Sequence, residues 1–403
     1  MSLHFGSLFW PSTFNGSTRF PPLRMNKKTR VVIIGGGVSG TLCGYVLAKS
    51  GIPAILIEQN SLASGSTLAN TGLLQYSNDI LLSEFTETLG EQAAVSFYRA
   101  CKQAAEHLCS IAAGLPRDVH FKRRSSLYYA STAEDVPSLH KEYELLTKFD
   151  FGVAWWEQDQ IAAHFPFRKA AAIVTRGDAE VNPCLFVQAL AEEAVQAGLE
   201  IHENTAMYSV VPTSRGYRVL TPAGEIEAEQ IIYAVGYAVE QAGGHWIQAK
   251  LNRSYAIVTE PMASLSEWHE QFLIWESARP YLYMRTTVDH RIIVGGLDES
   301  VRQPIHSEQE LQSRSATLLT ELHKLFPSFS AEIRYEWCAT FGESADGLPW
   351  LGEDPERPGQ YYCLGYGGNG IVYSMLGAEL IRDHLLGIAN PITNIVRPDR
   401  VVR

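Results

Sequence analysis

Val31-Val-Ile-Ile-Gly-Gly-Gly-Val-Ser-Gly40 is the stretch on which the reading of this chain turns. Val31 to Ile34 is an unbroken β-branched run that stops at glycine, as a buried strand does before a turn. Leu42 to Lys49 then continues at helical spacing until Gly51 ends it. Ala54 to Ile57 is a second apolar run, closed by Glu58 and Gln59. Strand, glycine turn, helix and strand make a βαβ unit. Gly35, Gly37 and Gly40 fit G-x-G-x-x-G: the first allows the tight turn, the second lets backbone approach a pyrophosphate, and the third permits close helix-strand packing. Val38 and Ser39 open the helix, whose free N–H groups and positive dipole end favour phosphate. Glu58 falls about 20 residues on, where a carboxylate accepts the ribose hydroxyls and disfavours a 2′-phosphate. The spacing predicts a bound dinucleotide without separating flavin from nicotinamide.

Outward from this unit, the whole chain narrows the function. Its 403 residues, 46% hydrophobic and 19% charged, describe a globular protein long enough for two domains. A net charge of −11 disfavours nucleic acid, whose binding needs a basic face. Six cysteines (Cys43, Cys101, Cys109, Cys184, Cys338, Cys363) lie scattered in apolar contexts with no C-x-x-C pair. That pattern predicts reduced thiols in the cytoplasm and no metal site. Residues 1–30 are broken by Pro11, Gly16, Pro21 and Pro22 and are not a signal peptide. No run approaches the roughly 18 apolar residues of a membrane span.

Periodicity orders the remainder. A helix is expected from Leu81 to about Ala113, another over Glu134–Phe149, a third over Leu185–Ala197, and later ones over Ser307–Leu325 and Met375–Leu386. Strands are expected at Leu127–Ala130, Ile201, Arg218–Leu220, Ile231–Ala234, Tyr255–Thr259, Pro280–Tyr283 and Arg291–Gly295. The alternation predicts an α/β fold: a discontinuous Rossmann-like nucleotide domain with an inserted α+β substrate domain on a mostly antiparallel sheet. The expected division is an N-terminal arm over 1–29, nucleotide-domain segments over 30–80, 171–250 and 335–403, and substrate-domain segments over 81–170 and 251–334. The arm, with Phe5, Phe9, Trp10, Phe14 and Phe20, reads as an irregular surface extension.

Several separated motifs now resemble the FAD-dependent amine and amino-acid oxidoreductases of the D-amino-acid oxidase superfamily, which includes glycine oxidase and sarcosine oxidase. Leu62-Ala-Ser-Gly-Ser-Thr-Leu-Ala-Asn-Thr-Gly-Leu73 is similar to the family's small-residue loop beneath the flavin. The resemblance implies FAD contacts at Ser64, Gly65, Ser66, Thr67, Thr71, Gly72 and Leu73. Ile231-Ile-Tyr-Ala-Val-Gly236 resembles the strand that ends near the cofactor, implying Ala234 and Gly236. Asp346-Gly-Leu-Pro-Trp-Leu-Gly352 and Gly365-Tyr-Gly-Gly-Asn-Gly-Ile371 resemble the two C-terminal segments that close around the flavin, implying Gly347, Gly367, Gly368, Asn369, Gly370 and Ile371.

Departures from the family carry as much information. The position of histidyl flavin attachment reads Ala69, so the resemblance implies non-covalent FAD; Cys338, in the region of cysteinyl attachment, reads as a small buried residue. The two arginines with which glycine oxidase-like members grip a substrate carboxylate read Phe341 and Gly368. A simple α-amino acid is therefore disfavoured. Tyr281 stands at a substrate-contacting tyrosine, and Arg285 lies on the same face of its strand; both are the candidate catalytic residues. Ile293 occupies the place of the dioxygen-activating lysine. Glu276 reads as a solvated turn residue, and His245, His269 and His290 as surface histidines. The implied activity is oxidation of the C–N bond of a small amine or amino-acid derivative by hydride transfer to flavin, with dioxygen or another electron acceptor. The competing reading is a flavin-binding scaffold or electron-relay subunit of a larger complex.

Overall fold

The computed structural model describes residues 3–13, 18–238, 247 and 249–400. Phe14 and His245 lie outside them. Two sheets divide the chain. The smaller has at its centre Lys27–Ile34, flanked in parallel by Ala54–Ile57 and Gly224–Tyr233, then by Glu200–His202 on one side and Gln360–Leu364 on the other. Trp350–Glu353 closes that second edge antiparallel. Val31 to Ile34 and Ala54 to Ile57 are buried throughout, because helices cover the sheet and leave no face for polar residues. Val38–Lys49, the crossover helix, packs against Pro183–Gln196 and Gly370–Leu386.

The larger sheet is ten-stranded. From one edge it runs His4–Ser7, Ile333–Ser344, Ala249–Thr259, Ile292–Glu299, Leu282–Thr286, Leu273–Glu276, Lys122–Tyr129, Ala171–Glu180 and Leu73–Leu74, with Ala154–Glu157 beside Ala171–Glu180. All its pairings are antiparallel except that of Leu273–Glu276 with Lys122–Tyr129. Period-two alternation separates its faces. Leu127, Tyr255, Ile257, Ile274, Met284, Ile292, Val294 and Cys338 form one core with Leu311, Leu318 and Leu322 of the helix Glu308–Leu325. The opposite face carries one continuous register row: Tyr128, Trp275, Tyr283, Gly295, Ala256, Trp337 and Gly6. This row faces the nucleotide domain.

Four expectations need correction. The arm is not a surface extension: His4–Ser7 pairs with Ile333–Ser344, and Phe9 and Trp10 are buried. Ala171–Glu180 and Ile333–Ser344 belong to the larger sheet, so the expected segments 171–250 and 335–403 each open with a strand of the other half. Neither segment carries a local mark of the sheet it joins; only long-range pairing decides it. The helix expected from Leu81 is two helices, Leu82–Leu89 and Glu91–Gly114, parted by Gly90 at φ +83°. Glu276 is buried in a strand, accepting from the Tyr129 and Ser131 hydroxyls. All six cysteines are buried free thiols. Among the described residues no helix is long and apolar enough to cross a membrane.

Candidate active site

A cavity of ≈ 340 Å³ runs from the first glycine turn to the aromatic row of the larger sheet. At the glycine end, backbone crowding dictates the residues. Gly35 has φ +110°, and a Cβ there would lie 2.4 Å from the Ala234 carbonyl oxygen; one on Gly40 would lie 1.8 Å from the Gly35 oxygen. Neither position admits a side chain. Glu58 takes the Gly36 N–H at 2.7 Å and the Asn60 N–H at 2.8 Å. Burial pushes its carboxyl up, and these two donors pull it back. Thr67 accepts the Val38 N–H through its hydroxyl at 3.1 Å.

Two helix N-termini open on this cavity, at Val38 and Gly370; neither is capped by its own N-cap side chain, and at the first Thr67 of the neighbouring loop takes only the Val38 N–H. By contrast, Pro183–Gln196 and Glu308–Leu325 are capped by Asn182 and Ser307. Exposed helix-end donors in a concave site are what phosphate and carbonyl oxygens bind. The loop between Ser64 and Leu73 lies between the sheets, clamped through its carbonyls. Trp337 donates to Ala69, Trp10 to Asn70 at 2.5 Å and Arg285 to Thr71 at 2.7 Å.

The far end has different chemistry. Trp275 stacks on Tyr128 at 3.9 Å, with its indole N–H unpartnered. Tyr283 lies flat over Gly295, where a Cβ would sit 2.3 Å from the ring. The Tyr281 hydroxyl donates to Asp79 at 3.0 Å, while Gly368 N–H reaches the other Asp79 oxygen at 2.7 Å. Asp298 also lines this end. Burial, then repulsion from Asp79, pushes its carboxyl up to about 6, and burial with repulsion from Asp79 and Asp298 pushes nearby Glu343 up to about 7. Burial and the Asp79 charge raise the Tyr281 hydroxyl far above its ordinary range, so it stays a donor. Among the described residues no Arg, Lys or His lines the cavity.

A family model for FAD dependent oxidoreductases, DAO, matches residues 30–384. The chain belongs to this family of FAD-dependent oxidoreductases. Glycine oxidase of Geobacillus kaustophilus (strain HTA426) is 25% identical over 380 residues, spanning 89% of this chain and 93% of that protein. A crystal structure of glycine oxidase from Geobacillus kaustophilus matches with a TM-score of 0.75 at 22% identity, over 94% of this chain and all of that one. L-proline dehydrogenase from P. horikoshii matches with 0.77 at 19%, over 93% and 98%. At such identities the structures share the fold.

The residues present fit FAD: glycines whose missing Cβ atoms leave a cradle, an acid at the second strand, and two helix ends aimed at one space. Of the residues expected at the cofactor, Gly35, Gly37, Val38, Ser39, Glu58, Gln59, Ser64 to Thr67, Thr71, Leu73, Ala234, Gly236 and Gly367 to Ile371 line the cavity. Gly40, Gly72 and Gly347 do not. They serve close packing instead: a Cβ on Gly72 would meet the Val181 oxygen at 2.2 Å, and one on Gly347 the Ile80 side chain at 2.5 Å.

The two expected catalytic residues part company. Tyr281 lines the cavity. Arg285 does not; fully buried, it donates to the Thr71, Val181 and Thr286 carbonyls and lies 3.5 Å from Glu180. Its guanidinium fastens the flavin loop to the sheet. Phe341 and Gly368 do line the cavity, and neither carries a charge. Cys338 is packed in the core on the sheet's other face, its thiol raised by burial. Asp79, Asp298, Trp275 and Tyr283 were missed. One sign was available: adjacent Gly295 and Gly296 in a strand mark a close approach, and Asp298 lies two residues beyond them.

Proposed function

We propose that this chain oxidises the C–N bond of a small amine or amino-acid derivative, with FAD bound non-covalently. The observation that supports it best is the continuity of one cavity from the glycine turn to the aromatic row. When bound, FAD would supply the acceptor for the hydrogen and electron pair of the C–H bond beside the amine nitrogen; the iminium ion left on the substrate is hydrolysed by water to a carbonyl compound and an ammonium ion. The protein's part is orientation and exclusion of water. Trp275, Tyr283 and Trp337 wall the substrate end with aromatic rings, and the small Ala256 lies at the same wall. Tyr281, held by Asp79, offers one fixed hydroxyl. No proton-transfer dyad is required for hydride transfer from a neutral amine.

Glycine oxidase among the relatives supports an amine substrate, although Phe341 and Gly368 remove its carboxylate clamp here. Ile293, buried in the sheet, leaves no fixed cation to stabilise reduced dioxygen; reoxidation by dioxygen is expected to be slower than by a quinone or dye. The test is anaerobic mixing of the holoprotein with a panel of amines. Bleaching of the flavin band is the expected result. No bleaching by any amine, with rapid electron exchange to a partner flavoprotein, would establish the relay subunit instead. Acid precipitation should release the yellow chromophore into the supernatant; pigment retained in the pellet would show covalent attachment.

A further inference from the structure

The substrate end of the cavity is charged on one side only. Asp79 and Asp298 line it, Glu343 stands behind them, and among the described residues no basic side chain lines the cavity. The nearest cation, Arg279, is exposed; it donates to the Asp79 carbonyl at 2.8 Å and lies over the outer Tyr281 ring. Asp79 has a partner on each oxygen. Asp298 is different: one of its carboxyl oxygens is buried with no hydrogen-bond partner, though Ser254 lies against the group. A buried acceptor without a donor is costly. Across the same space Trp275, 6% exposed, holds an indole N–H with no acceptor. The cavity thus lacks both a cation beside Asp298 and an acceptor beside Trp275.

A single amine cannot answer both the carboxylates and the chemistry. Transfer of hydride from carbon needs the lone pair of the adjacent nitrogen, so the reacting amine must be neutral. Carboxylates at close range hold an amine protonated. The nitrogen that sits against Asp298 is therefore not the one that reacts.

We infer that the substrate carries a second, non-reacting cationic group and no carboxylate, in the class of di- and polyamines and related dicationic amines, and that Asp298 with Asp79 receives that group. The inference rests on the amine-oxidising reading above and names its substrate class. Ionisation of Asp298 and Glu343 is resisted first by burial and then by their neighbour Asp79, and is eased by Ser254 and Arg279 at Asp298 and by Lys250 and Asn252 at Glu343. A dication supplies the missing countercharge, so its binding tightens as pH rises from 5 to 8.

The test uses the holoprotein, reduced anaerobically by 1,4-diaminobutane, n-butylamine, 4-aminobutanoate, glycine and sarcosine. The diamine is expected to exceed butylamine in rate constant over KM by about tenfold or more, the worth of one charge-assisted hydrogen bond, and the carboxylates by more. Asp298→Asn should collapse the diamine-to-butylamine ratio. A second readout needs no turnover: the bis-quaternary analogue of diaminobutane, which has no reactive lone pair, should perturb the spectrum of the oxidised flavin, with a Kd about tenfold weaker in Asp298→Asn. Bleaching by glycine or sarcosine but by no dication overturns this inference and leaves amine oxidation standing. No bleaching by any compound overturns amine oxidation, and the bis-quaternary titration then decides the cation site by itself.

Discussion

The two ends of the cavity recognise by different means. The glycine end is built from backbone: Gly35, Gly37, two uncapped helix starts and carbonyls held in place by Trp10, Trp337 and Arg285. The sheet end is built from side chains on or beside three consecutive strands, Trp275, Tyr281, Tyr283 and Asp298, joined by Asp79 from a loop about 200 positions earlier in the chain. Backbone recognition suits a cofactor that never changes. Side-chain recognition can be rewritten one residue at a time.

This contrast predicts unequal consequences for substitutions at the two ends. The largest belongs to Gly40→Ala, whose new Cβ has only 1.8 Å to the Gly35 oxygen. It should cost about 3 kcal/mol or more and yield protein with at least tenfold less flavin per chain, read from the visible-to-ultraviolet absorbance ratio. Normal flavin content would break the assignment of this end to backbone.

Arg285→Met comes next. Removing a fully buried guanidinium that serves three carbonyls and faces Glu180 should cost about 3 kcal/mol, seen as a lower Tm and faster flavin release. The ranking of amine substrates should stay as it was, because Arg285 does not line the cavity. A changed ranking would return Arg285 to the substrate end.

Asp298→Asn is a smaller and pH-dependent effect. The folded-state carboxyl titrates near 6, above its ordinary value, so its contribution to stability is fully present at low pH and is lost as pH rises through about 6. The ligand-free variant should therefore melt higher than the parent at pH 8, by a few degrees at most, and the two should coincide near pH 4. A lower Tm for the variant at pH 8 would mean that the carboxylate already has a countercharge.

Tyr281→Phe should be the mildest. It removes one hydroxyl bonded to Asp79, worth about 1 kcal/mol, and should raise KM several-fold while leaving the pH dependence of kcat in place, since this hydroxyl does not ionise near neutrality. A shift of that pH profile would make Tyr281 a proton carrier.

What the sequence determined by itself is the cofactor half. A β-branched run, three glycines at fixed offsets and an acid at the next strand's end lie within 28 residues, from Val31 to Glu58, and local sterics alone demand them: no other residue fits at Gly35 or Gly40. The helices were readable for the same reason, their periodicity and caps being local. Gly90 shows the limit, since a glycine in a long polar-apolar run is as easily a tolerated residue as a break.

Only the tertiary structure decided the substrate half. Tyr281 and Arg285 share a strand face, yet one meets the cavity and the other is sealed beneath the flavin loop, because Thr71, Val181 and Glu180 close over it. His4–Ser7 is too short to announce a strand and exists as one because Ile333–Ser344 offers it an edge. Asp79, on a loop, and Asp298, on a strand of the larger sheet, lie 219 positions apart in the chain and line one cavity. Charge in a pocket is a sum over residues that only folding brings together, and no local pattern records it.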